Sequence, residues 1–178
     1  MFAGIKRHFL HKYLNENKVV RQRRLTTLQQ ARTIGIVCEI TDEDSYKNIF
    51  AIFTKLQEQD RNVRLIGYVN EKEVPFYCLP QLTADYFCNA NLNWFGKLNV
   101  EQLMDFTKME FDMIIDFNYR YNPAIESLLT MSHAKFIVGQ TPENKDVYDL
   151  YFEQKDKDYR RFLESIDKYT NKLTGNDR

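Results

Sequence analysis

The sequence predicts an α/β fold: a mainly parallel, Rossmann-like sheet with helices on both faces, preceded by a basic N-terminal helical arm. Three observations point there. Short, nearly continuous apolar runs such as "TIGIVCEI" (33–40) and "FDMIIDF" (111–117) are the form strands take when both faces are covered. Segments with apolar residues every three or four positions alternate with these runs, as in successive βαβ units. Charge is also segregated. The 25 basic and 25 acidic residues cancel, yet residues 1–38 hold eight basic groups against Glu16 alone, leaving 17 basic and 24 acidic groups to the rest. The expected division is a basic arm over residues 1–32 and an acidic α/β body over 33–178.

In the arm, Phe2, Ile5, Phe9 and Tyr13 recur at helical spacing with Leu10 and Leu14 beside them and Lys6, Arg7, His8, His11 and Lys12 between. This is a basic amphipathic helix. The segment from Asn15 to Arg32 is polar, with Val19, Val20, Leu25 and Leu28 to bury, and reads as either a second short helix or a surface strap. After the first strand, Thr41 can cap a helix whose opening acids Asp42, Glu43 and Asp44 suit the positive end of its dipole. Tyr46, Ile49, Phe50, Phe53 and Leu56 form the inward stripe of that helix. The strand "VRLIGYV" (63–69) follows the turn at residues 60–62 and completes a right-handed βαβ unit. Residues 70–85, with Pro75 and Pro80, show no helical stripe.

A third strand lies within "DYFCNANLNWF" (85–95). Asn99, with Gln102 placed for a capping box, opens a helix carrying Val100, Leu103, Met104 and Phe106. "FDMIIDF" is the fourth strand, Asn122 and Pro123 start a helix through Ile125, Leu128 and Leu129, and "AKFIVG" (134–139) is the fifth strand. Beyond Pro142, "YDLYF" (148–152) adds an edge strand, and Tyr159, Phe162, Leu163, Ile166, Tyr169 and Leu173 stripe a closing helix. Ligands of such sheets sit beyond the carboxyl ends of the strands. Those ends are Thr41 with Asp42, Asn70, residues 118–120, and Gln140 with Thr141.

A chain of 178 residues can bury a core without disulfide or metal staples. Its 43% apolar and 14% aromatic content excludes a disordered chain. Cys38, Cys78 and Cys88 form no C-x-x-C pair, so neither a disulfide framework nor a zinc site is signalled, and Cys38 reads as a small apolar filler. Neither a signal-peptide run nor an apolar stretch of about 18 residues occurs. A cytoplasmic protein is therefore expected.

Several residues qualify for a site. A phosphate-binding turn needs glycines after a strand, and "EITDEDS" (39–45) offers acids instead. Asp42, Glu43 and Asp44 could hold magnesium, but read better as solvated acids at a helix start. Asp112 and Asp116 stand at opposite ends of one strand, too far apart to share acid–base work. Asp116 with Asn118 and Arg120 at the strand end is the better pocket candidate, beside the plainer reading that Asp116 satisfies loop amides. The stretch "NANLNWFGK" (89–97) holds the only tryptophan. Trp94 could stack on a base or sugar while Lys97 reaches a phosphate or carboxylate, or the ring could merely pin the loop. His8 and His11 lie one turn apart among cations that oppose metal binding, and His133 stands elsewhere. No catalytic residue, metal or cofactor is assigned.

The stretch "FDMIIDFNYRYNPAIESLLTMSHAKFIVGQ" (111–140) resembles a strand–helix–strand section of the N-terminal Rossmann-like domain in heptosyltransferase-type glycosyltransferases. That likeness implies fold alone, since the Gly-Asp turn of those enzymes and their second, donor-binding domain have no counterpart here. Over nearly its whole length, through "RQRR", "ARTIGIV", "NWFGK", "FDMIIDF", "SHAKFIVG", "VYDLYFEQ" and "DKYTNKL", the chain resembles an uncharacterised family of small Bacteroidota α/β proteins. This implies a single-domain cytoplasmic protein and supplies no activity.

Two functions follow as expectations. The first is a non-enzymatic binding protein whose arm engages RNA or a ribonucleoprotein, with Lys6, Arg7, Lys12, Arg21, Arg23 and Arg24 on the phosphates. An anionic membrane surface is the rival partner, and an arm that docks on the acidic body is the plain alternative. The second is a degenerate or partner-completed transferase half that binds a sugar or other small polar ligand near Asp42, Trp94, Lys97, Asp116, Asn118 and Arg120.

Overall fold

The computed structural model describes residues 2–140, 146–153 and 157–175, with backbone alone for residues 2 and 3. The Phe2 side chain, Thr141 and Pro142 lie outside the described residues. The expected α/β fold is what the chain forms. Six strands, β1 (Thr33–Glu39), β2 (Asn62–Val69), β3 (Ala84–Cys88), β4 (Met113–Asp116), β5 (Ile137–Gly139) and β6 (Leu150–Tyr151), pair in parallel in the order β3-β2-β1-β4-β5-β6. This is the strand order of doubly wound dinucleotide-binding sheets, and its switch point falls between β1 and β4.

The helices are α1 (Phe2–Asn17), α2 (Glu43–Gln57), α3 (Glu101–Lys108), α4 (Pro123–Thr130) and α5 (Tyr159–Leu173). Strand side chains alternate faces, which divides the core in two. Ile34 and Ile36 meet Phe53 and Leu56 of α2 and Phe162 and Ile166 of α5. On the other face Val37 and Ile114 meet Leu103 and Phe106 of α3 and Leu128 of α4. Both faces of β1 are therefore dry, which is why "TIGIVCEI" reads as one apolar run.

Capping chemistry explains where the helices begin, with two corrections. Asn122 accepts from the amides of Ala124 at 3.0 Å and Ile125 at 3.3 Å, with Pro123 in the first turn, as expected. The cap of α2 is Asp42 rather than Thr41: Ser45 donates its amide to Asp42 Oδ1 at 2.7 Å, and the Thr41 hydroxyl donates to Asp42 Oδ2 at 2.9 Å. Val100, not Asn99, precedes α3 and supplies no side-chain cap. Asn99 is held in the preceding loop, where its amide donates to the Asn91 carbonyl at 3.0 Å.

The buried stripes also differ from expectation at both ends of the chain. In α1 the buried residues are Leu10 and Leu14, while Ile5 and Phe9 remain exposed, because α1 lies across α4 on its leucine side. In α5 Thr170 is buried in place of Tyr169 and Leu173, and its hydroxyl donates to the Ile166 carbonyl at 2.8 Å. Residues 18–32 are the strap, not a second helix. Val19 donates its amide to Thr130 O at 3.2 Å and Arg24 donates its amide to Lys135 O at 2.9 Å. Residues 4–32 thus lie along the body, α1 against α4 and the strap by its backbone bonds.

Of the glycines that a neighbour crowds, Gly139 faces the closest approach. The Tyr148 ring lies where a β-carbon on Gly139 would have to go. Gly139→Ala is expected to destabilise the fold by about 1–3 kcal/mol through overpacking, read as a lower urea midpoint. An unchanged midpoint would mean that Tyr148 moves aside freely.

Candidate ligand-binding cleft between the first helix and the Trp94 loop

At the switch point, where a doubly wound sheet opens a crevice, this chain fills it with its own polar groups. Asp116, at the end of β4 and 1% exposed, accepts from the Asn118 amide at 2.9 Å, from Asn118 Nδ2 at 2.5 Å and from the Tyr148 hydroxyl at 2.6 Å. Asn118 Oδ1 accepts in turn from the Glu39 amide at 2.6 Å, and Glu39 Oε2 accepts from Asn122 Nδ2 at 3.1 Å. Tyr121 donates to Glu126 alongside. The cavity left is about 10 Å³, room for about one water molecule. Burial pushes the Asp116 carboxyl up to about 6, against the hydrogen bonds from Tyr148 and Asn118.

The open cleft lies beside that crevice, on the same edge of the sheet. Its volume is about 660 Å³, within the range of sites for ligands of nucleotide size. Tyr68 and Asn89, from the ends of β2 and β3, lie at its base, Lys6, Arg7 and Leu10 of α1 form one wall, and Trp94 forms the other. The Tyr68 hydroxyl donates to Asn89 Oδ1 at 2.5 Å, and Asn89 Nδ2 donates to Asn70 Oδ1 at 3.1 Å. Burial pushes the Tyr68 phenol up to about 12, so it stays a neutral donor.

Trp94 is presented by a small hairpin. Leu92 and Leu98 bridge antiparallel, Asn93 Oδ1 accepts from the amides of Phe95 at 3.1 Å and Lys97 at 2.9 Å, and Gly96 turns the chain with φ +98°. Phe9 lies 5.2 Å from Trp94 and Tyr13 lies 6.2 Å from Phe95, ring to ring. These contacts fasten α1 to the loop while leaving Trp94 57% exposed. Both readings of the tryptophan therefore have a physical basis: its contact with Phe9 anchors the loop, and more than half its surface remains accessible.

The other expected site residues are dispersed. Lys97 places its ammonium 4.9 Å above the Tyr13 ring, turned to α1. Asp42 caps α2, and the Ser45 amide, then the Thr41 hydroxyl, hold its carboxyl below the usual range. Arg120 lies over the Tyr119 ring at 5.2 Å and lines the small Asp116 cavity. Arg21 is a structural residue. Its guanidinium donates to Asp149 Oδ2 at 2.8 Å and to the Val147 carbonyl at 2.8 Å. Arg23 pairs with Asp149 at 3.3 Å and donates to the Asp146 carbonyl at 2.6 Å. These pairings turn Arg21 inward, against the expectation that it reaches outward, while the Arg23 side chain stays half exposed beside its pair with Asp149. Lys6, Lys12 and Arg24 are exposed and carry no ion pair among the described residues.

A family model matches residues 5–173. The chain belongs to DUF6913, a family of unknown function. No curated protein and no solved structure matches it. In this DUF6913 chain no three His, Cys, Asp or Glu side chains gather as a metal site among the described residues, and no described helix is long and apolar enough to cross a membrane. The three cysteines are free and buried. Sequence reasoning missed Tyr68 and Asn89 as parts of the cleft, Phe9 as the ring packed on Trp94, and Tyr148 as the partner of Asp116. Only their place at the carboxyl end of a strand could have signalled the first two; Phe9 and Tyr148 had no local signal.

Proposed function

We propose that the chain is a non-enzymatic RNA-binding protein that seats a nucleotide of a single strand in the α1–Trp94 cleft. The supporting observation is that two cations, Lys6 and Arg7, and the accessible Trp94 line one open cleft. A base has a face for the tryptophan, a phosphate suits the cations, and amide groups such as Asn89 can bond base edges. Exposed Lys12 and Arg24 are available to flanking phosphates, whereas Arg21 and Arg23 are committed to Asp149. Such phosphate contacts position a strand without reading its sequence.

Trp94 is the only tryptophan, so its fluorescence reports the cleft directly. Titration with oligouridylate should quench it, and uridine monophosphate should bind more weakly because it lacks flanking phosphates. The double variant Lys6→Ala, Arg7→Ala should flatten the dependence of log affinity on log salt by about 1.4, at about 0.7 for each phosphate that is no longer neutralised. Trp94→Ala, followed by anisotropy of a labelled strand, should cost about 1–3 kcal/mol of binding. Unchanged fluorescence, or affinity indifferent to salt, would overturn this reading.

Attachment to an anionic membrane is the second reading, favoured by the exposure of Ile5 and Phe9 beside Trp94. Flotation with phosphatidylserine vesicles but no quenching by oligouridylate would select it. The transferase-half reading has less support, because Asp116, Asn118 and Arg120 line a cavity of about 10 Å³ while Trp94 lines a different, open cleft.

A further inference from the structure

A second cleft lies at the opposite, amino edge of the sheet, between α2 and α5, with a volume of about 760 Å³. The chain leaves α2 through Asp60 in the left-handed region (φ 55°) and enters β2 by way of Arg61. Arg61 Nη1 is buried and has no hydrogen-bond partner among the described residues. Buried donors are ordinarily satisfied, so an orphaned N–H on a residue that lines a cleft marks a place where a ligand oxygen, admitted by a small shift of the guanidinium, would supply the missing acceptor.

The rest of the wall narrows what that acceptor is. Lys55, Arg61 and Arg160 face the cleft with Glu164 and Asp167, leaving one positive charge in excess. Burial disfavours the Arg61 charge most, Asp167 pulls on it and Arg32 opposes it from behind the wall, while Asp167 Oδ1 accepts from Asn171 Nδ2 at 3.3 Å. A single negative charge balances this wall, and a phosphate dianion would overshoot it while facing two carboxylates. Leu28, Ile52 and Leu163 supply apolar surface beside the charges. The planar fork of a guanidinium matches a carboxylate with two parallel hydrogen bonds.

We infer that the α2–α5 cleft binds a small organic monocarboxylate with an apolar body, its carboxylate on Arg61 and its body against Leu28, Ile52 and Leu163. The site is independent of the RNA reading and lies on the other edge of the sheet. Calorimetry on the full chain with hexanoate, acetate and inorganic phosphate tests it. Hexanoate should bind at least tenfold more tightly than acetate, and phosphate should bind more weakly than either.

Arg61→Met removes the unpaired buried donor, so the variant should fold and lose at least tenfold in hexanoate affinity. Arg160→Ala, an exposed change, should weaken hexanoate several-fold and serves if the first variant fails to fold. Trp94 fluorescence should not respond to hexanoate, which separates this site from the α1 cleft. Absence of hexanoate binding, binding unaltered by either variant, or preference for phosphate would overturn the inference.

Discussion

Arg21→Met is expected to destabilise the fold by about 3–5 kcal/mol, the range for breaking a buried ion pair by removing one partner. The Arg21 side chain is 5% exposed and that of Asp149 is 9% exposed. Arg21 Nη1 reaches Asp149 Oδ2 at 2.8 Å and Ala134 O at 3.2 Å, and Nη2 reaches Val147 O at 2.8 Å. Asp149 Oδ2 also accepts from the Ile137 amide at 2.7 Å. One guanidinium thus joins the strap to β5 and to the segment leading into β6. Without it Asp149 keeps the Ile137 amide and the outer contact with Arg23, too little for a desolvated charge.

Urea unfolding measures the loss. Arg21→Lys should recover only part of it, because an ammonium cannot reproduce the fork that reaches three acceptors. Removing both charges with Arg21→Met and Asp149→Leu should cost less than Arg21→Met alone, which is the sign of an uncompensated charge in the single variant. The same set separates structure from docking. Arg21→Met should leave oligouridylate affinity per folded molecule unchanged, whereas the Lys6 and Arg7 variants should change affinity and leave stability nearly untouched. A loss below about 1 kcal/mol would place the pair with surface salt bridges and return Arg21 to the candidates for partner contact.

What the sequence made legible was whatever depends on neighbours in the chain. β1, β2 and β4 stand out because burial on both faces removes polar residues, and α4 because Asn122 and Pro123 are a local start signal. The edge strand β6 was visible through "YDLYF". The buried side of α1 was not. Ile5 with Phe9 and Leu10 with Leu14 are two overlapping stripes, and contact with α4 decides which of them is covered. The fate of the arginines was hidden for the same reason, since Arg21 and Asp149 are 128 residues apart. Charge segregation was real in the composition, but part of it is resolved internally.

The cleft shows the same limit. Lys6, Arg7 and Trp94 were each noticed as a candidate, yet nothing local announces that α1 lies along the Trp94 loop. The switch point was legible as a place and not as a state. Asp116 and Asn118 could each have been a ligand contact or a brace for the loop, and Tyr148, arriving from beyond β5, closes the crevice from a distance that no motif spans.

Asp116→Asn is expected to remove a dependence of stability on pH between about 4 and 6. The Asp116 carboxyl is 1% exposed, and burial raises it to about 6 despite the three hydrogen bonds it accepts. An unfolded aspartate titrates near 3.9, so the raised folded value makes its stabilising contribution complete below about pH 4. That contribution falls as pH rises through about 6, by about 3 kcal/mol in all. Asparagine stays neutral, so the difference in unfolding free energy between wild type and variant should shift toward the variant by that amount from pH 4 to pH 7. Asparagine can still accept from Asn118 through Oδ1 while Tyr148 loses its acceptor, a penalty that adds a constant offset and no slope.

Asp112 does not confuse the measurement. Burial would raise its carboxyl, but hydrogen bonds from Lys135, Thr33 and Arg32 outweigh this and lower it to about 2. Its stabilisation is present above about pH 4 and is lost only as pH falls toward 2, outside the window of Asp116. Urea midpoints at pH 4, 5, 6 and 7 decide the matter. Parallel profiles for wild type and Asp116→Asn would show that Asp116 titrates near its unfolded value, and that water reaches the switch point through more than the narrow cavity beside Tyr148.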